Sequence, residues 1–114
     1  ICIYIARSTA TGKLAFATRN GSNISVSAVS DTRFSSTAWN HVVGVYDGSN
    51  MKLYLNGILQ LNQPTQTGLT KNNTGTLRLN DGPAGKLFQG TIDQVKVFHR
   101  ALSASEANQL YTTP

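Results

Sequence analysis

The sequence predicts an all-β domain, an antiparallel two-sheet jelly-roll sandwich with one short C-terminal helix. Three observations carry that prediction. Charged residues make up 13% of the chain, roughly half of the ~25% usual in globular domains, and Thr, Ser, Asn and Gln fill the difference. Helical chains are rich in Glu, Lys and Ala, yet the only glutamate here is Glu106. Short β-branched and aromatic runs alternate with Gly, Asn and Asp turn signals almost from end to end. The 114 residues are 39% hydrophobic, enough to fill one core, so a single domain over 1–114 is expected.

Residues 1–7 open with an apolar run, and Lys13 to Arg19 alternates with Leu14 and Phe16 on one face. Asn20-Gly21 follows, a dipeptide that tolerates positive φ and signals a tight hairpin. Ile24 to Ala28 alternates as a half-buried strand, and a polar loop carries Ser35, Ser36 and Thr37. Trp39 to Tyr46 reads as a strand, Asp47 to Asn50 as a turn, and Met51 to Leu55 as the returning strand. A second Asn-Gly, Asn56-Gly57, leads into Ile58 to Leu61. Residues 62–75 read as a long loop, Thr76 to Asn80 as a short strand, Asp81 to Gly85 as a turn and Thr91 to His99 as the last strand. That gives about eight strands without intervening helices, the pattern of a sandwich or jelly roll. Ser103-Ala104-Ser105-Glu106 fits a capping box, after which Ala107, Leu110 and Tyr111 share a face that can dock on a sheet.

The net charge is +5, but the ten basic residues are dispersed singly and no basic run interleaves with aromatics. This is a solvated surface and not a nucleic-acid groove. No stretch approaches the ~18 apolar residues of a membrane span. Cys2 has no cysteine partner within the sequence; it reads as a small buried hydrophobe of the first strand, or as a thiol that pairs outside the chain. The opening run is too short for a signal peptide, and the chain does not begin with Met, which reads as a processed or excised piece.

Catalytic chemistry is poorly supplied. A glycosidase needs two carboxylates about 5–10 Å apart, and the acids are Asp31, Asp47, Asp81, Asp93 and Glu106. Asp47 and Asp81 sit in Asp-Gly turns, Glu106 serves the helix cap, and His41 and His99 lie on separate strands. No nucleophile elbow, phosphate loop or zinc spacing appears. Asp93 shares a strand face with Val95 and Val97. If that face is inward, its carboxylate needs an arginine, backbone amides or a Ca²⁺ ion. Trp39 reads as core in preference to a sugar-stacking platform, with Val43, Val45, Leu53, Leu55, Val95 and Val97 completing the expected core. Tyr46, Tyr54 and Asn56 are the candidate ligand-binding residues. Three Asn-x-Ser/Thr matches occur at Asn20, Asn23 and Asn72, as chance allows in a chain this rich in Asn and Thr.

Trp39-Asn40-His41-Val42-Val43-Gly44-Val45-Tyr46-Asp47-Gly48 followed by Leu53-Tyr54-Leu55-Asn56-Gly57 resembles the "W-x-H-V-x-x-x-Y-D-G … L-Y-x-N-G" core of laminin-G-like domains, within the concanavalin A-like lectin/glucanase superfamily. Phe88 to Ser103 is similar to that family's closing "F-x-G-x-I-D-x-V-x-[IV]-[YF]-x-R-A-L-S". The resemblance covers residues 13–112. It implies a two-sheet jelly roll and an extracellular or cell-surface module that binds glycans or extracellular proteins. It also marks Asp93 as structural or near a calcium ion. The strands that usually precede the run at Gly12 to Phe16 are missing, which implies completion by another chain or by an N-terminal segment. The acid-rich strand of the glucanase members is not matched. The reading is therefore a non-catalytic carbohydrate-binding or adhesion module, the alternative being a structural protein–protein module of a surface, filament or virion assembly.

Overall fold

The computed structural model describes residues 3–8, 11–35, 37–71, 77–79 and 88–113. Two antiparallel three-stranded sheets form from consecutive strands. The first orders β1 (Ile3–Arg7), β2 (Lys13–Arg19) and β3 (Ser25–Arg33); the second orders β4 (Val42–Tyr46), β5 (Met51–Leu55) and β6 (Ile58–Leu59). One helix, α1 (Ala104–Thr112), closes the chain.

The period of two in the sequence decides how the layers meet. Leu14 and Phe16 of β2 and Ala28 of β3 pack against Met51, Leu53 and Leu55 of β5, with Val26, Phe34, Val42 and Tyr46 at the margin. This is the sandwich interior. The opposite face of the second sheet carries Val45 and Tyr54, which Leu102 and Ala107 cover from the helix side. Val43, Leu59 and Leu110 flank them. The molecule therefore has three layers, with the second sheet in the middle and apolar on both faces.

Polar groups close the interior. Gln66 is buried; its Nε2 donates to the Ile24 carbonyl at 3.0 Å, and its Oε1 accepts from Asn20 Nδ2 at 3.1 Å. Register slips between Lys13 and Ala15, and there the Leu14 N–H donates to buried Ser30 Oγ at 3.0 Å. The outer edge of β3 is met by side chains: Gln60 Oε1 accepts from the Asp31 N–H, and Asn62 Oδ1 from the Val29 N–H, each at 2.8 Å.

The two Asn-Gly dipeptides behave differently. Asn56 and Gly57 take φ of 52° and 78°, and Leu55 pairs directly with Ile58, the expected two-residue turn. At Asn20-Gly21 the loop is wider, and positive φ falls on Asn23 at 68°. Asn20 Oδ1 accepts from the Ser22 and Ile24 N–H groups at 3.0 Å each, so the side chain caps a longer loop. At the helix, Ser103 Oγ accepts from the Glu106 N–H at 3.1 Å and Glu106 Oε1 from the Ser103 N–H at 3.0 Å, completing the capping box.

Several expectations are corrected. Trp39 lies before β4 and is 69% exposed, because the strand begins only at Val42. Thr91 to His99 forms no strand, and its Val95 and Val97 are exposed instead of core. Gln94 has φ of 54°, which breaks the alternation, and the segment has no ladder partner among the described residues. Leu77 to Leu79 is likewise outside any strand. Of the expected core, Val45, Leu53 and Leu55 are buried and Val43 half-buried. Cys2, Asn72, Thr76, Asn80 and the whole 81–85 turn with Asp81 lie outside the described residues.

Candidate functional site

The start of β4, the Asn56-Gly57 turn and the C-terminal half of α1 meet at one end of the second sheet. Asn56 is the joint. Its N–H donates to the His41 carbonyl and its Oδ1 accepts from the His41 N–H, both at 2.8 Å. Its Nδ2 donates to Asn40 Oδ1 at 3.2 Å. Asn40 Nδ2 in turn donates to the Ser35 and Ala38 carbonyls, at 2.7 and 3.1 Å. The loop presenting Trp39 is thus tied down on both sides of the indole.

The helix approaches from the other side. A Cβ built on Gly57 would lie 2.7 Å from Asn108 Oδ1 and 2.9 Å from the Tyr111 ring, so only glycine lets α1 settle on this turn. The His41 and Tyr111 rings lie 5.8 Å apart at 43°. His41 Nδ1 is buried without a hydrogen-bond partner among the described residues. Burial, and then the positive charge of Lys96, hold the imidazole below its ordinary pKa, so it is neutral at physiological pH. The loop carries the exposed Trp39 indole, and the helix carries the half-exposed Tyr111 phenol and the exposed Asn108 amide. Each of these groups can stack on or hydrogen-bond a neutral polar ligand.

A family model for the concanavalin A-like lectin/glucanases superfamily matches residues 3–108. The chain belongs to this superfamily. A fold similar to this concanavalin A-like domain is found in the crystal structure of residues 221–444 of an S-layer domain-containing protein from Clostridium thermocellum ATCC 27405. The TM-score is 0.53 at 22% identity, over 97% of this chain and 64% of that one. The domain therefore spans under two thirds of that structure. Curated proteins gave no match.

In this concanavalin A-like domain the three ligand candidates do not converge. Tyr54 is 3% exposed beneath α1, since the even positions of β5 face the helix; the expectation that it meets a ligand is corrected. Tyr46 sits at the margin of the interior, and its hydroxyl donates to the Gly68 carbonyl. Asn56 does reach the surface described above, as its scaffold. Asp93 is exposed and its Oδ1 accepts from the Gln94 N–H at 2.8 Å. No group of three His, Cys, Asp or Glu side chains comes together among the described residues. Sequence reasoning missed His41, Asn108 and Tyr111 as neighbours. The available signal was the capping box, which fixes where α1 starts and hence which of its residues reach the Asn56-Gly57 turn.

Proposed function

We propose that this domain is a non-catalytic extracellular module that recognises carbohydrate, with Trp39 as its stacking platform. One observation carries the reading: the Trp39 indole is 69% exposed on a loop held by the Asn40 and Asn56 amides. An exposed indole held on a fixed loop presents an apolar ring face on which a ligand can stack. The C–H face of a pyranose fits an indole, and its hydroxyls would meet Asn108, Tyr111 and His41. The superfamily and the surface-protein source of the similar fold support an extracellular or cell-surface location.

A glycan array probed with the purified chain tests this, run in calcium and in EDTA, with Trp39→Ala alongside. The wild type should bind in both buffers and Trp39→Ala should not. Binding lost in EDTA alone would make recognition cation-dependent, and Asp93→Asn would then test whether Asp93 is a ligand. No binding from a folded chain would overturn the reading.

A second reading, a protein-interaction module of a surface or filament assembly, is favoured by β1. Ile3, Tyr4 and Ile5 are all exposed there, on a strand whose outer edge has no partner among the described residues. Such edges accept strands.

A further inference from the structure

The register of the first sheet fixes which way the β1 side chains point. Ile3 pairs with Thr18, Ile5 with Phe16 and Arg7 with Leu14, and directly opposed residues share a face. Thr18, Phe16 and Leu14 are buried against the second sheet. Ile3 and Ile5 therefore extend the interior face one strand further, yet they remain 55% and 49% exposed. The inner face of the sandwich is longer than the sheet that covers it.

The same chain carries a segment shaped to continue that face. Within Thr91 to His99 the stretch Gln94 to Val97 alternates polar and apolar residues, and Ile92, Val95, Val97 and Phe98 are exposed. Gln94 holds a left-handed φ of 54°, unfavourable for a residue with a Cβ and relieved in an extended strand. Set antiparallel to β1, Asp93 falls opposite Arg7, Val95 opposite Ile5 and Val97 opposite Ile3. One register thus makes an ion pair and two apolar pairs on the interior face. On the other face it sets Lys96 over Tyr4.

We infer that residues 91–99 of one copy add as an antiparallel strand to β1 of a second copy, reciprocally, with Asp93 paired to Arg7. This rests on the second reading above and names its partner and register. The segment cannot easily serve its own β1. It runs into α1 through Leu102, which packs with Ala107 on the outer face of the other sheet. Arg7 lies over the Phe34 ring at 5.4 Å, and neither it nor Asp93 has an ion-pair partner among the described residues. A reciprocal exchange buries both edges about a twofold axis and leaves none to propagate.

Sedimentation velocity on the 114-residue chain tests this, with Arg7→Asp, Asp93→Arg and their equimolar mixture, each first shown to be folded by circular dichroism. The wild type should dimerise, and either reversal should weaken association by roughly tenfold or more. The mixture should restore the dimer, because each contact then joins opposite charges across two chains. A dimer indifferent to both reversals would keep the assembly reading and overturn this register. Single variants that stay monomeric when mixed would overturn pairing between copies, and a wild type monomeric at all concentrations would overturn both.

Discussion

Gly44 has no side chain where the Phe16 ring lies: a Cβ at that position would be 2.5 Å from Phe16 Cδ1. Gly44 is on β4 and Phe16 on β2, so this approach sets how closely the two sheets pack. Gly44→Ala should therefore destabilise by about 1–3 kcal/mol through overpacking. Chemical denaturation checks it, and pairing with Phe16→Leu should return part of the loss.

Gln66 offers a second stability test. Its amide serves Asn20, Ile24 and Thr67 at once. Gln66→Ala leaves the buried Asn20 amide and the part-buried Ile24 carbonyl and Thr67 N–H without it and should cost about 1–3 kcal/mol. Leu69→Ala, at a neighbouring side chain that is largely exposed, should fall within about 0.5 kcal/mol of wild type.

Acid should weaken the fold through His41. Its folded pKa lies below the ordinary 6.5 because of burial, then Lys96. The unfolded chain binds the proton more readily, so stability is fully present above about pH 6.5 and falls as pH drops through the folded value. Denaturation midpoints between pH 5 and 8 should show this slope, and His41→Phe should remove it. A midpoint for the His41 imidazole above that of free histidine by NMR would contradict it.

The helix start carries its own pH dependence. The Arg100 guanidinium, which grips Glu106 with both nitrogens, and the Ser103 N–H hold the Glu106 carboxyl at about 2, against an ordinary 4.5. Its contribution is present above pH 4.5 and is lost as pH falls toward 2. Being exposed, the pair is screened by salt. Glu106→Gln should flatten this acid limb, and Ser103→Ala should cost about 0.5–2 kcal/mol at neutral pH through the lost cap.

The local rules were legible where one element could satisfy itself. The Asn56-Gly57 turn, the Ser103 cap and the alternation of Lys13 to Arg19 all need only their own neighbours. Asn20-Gly21 departs from the tight hairpin because the Asn20 side chain caps the Ser22 and Ile24 amides of its own loop and also binds Gln66, a partner that only the tertiary fold supplies. Tyr54 passes for a ligand group in the sequence because a strand pattern cannot tell a solvent face from one covered by a helix. Trp39 and the valines of 91–99 look like core in the sequence because apolar residues announce burial without naming what buries them. The start of β4, the Asn56-Gly57 turn and α1 meet only in the fold, so the members of the site can be read singly from the sequence and not together.

The central claim is that Trp39 meets a saccharide. Because it is the one tryptophan, its fluorescence reports that contact alone. Emission from the free chain should be that of a water-exposed indole, and titration with an array-positive glycan should shift it to the blue and saturate. A saturable binding isotherm by calorimetry with no change in Trp39 emission would place the sugar elsewhere and contradict the account.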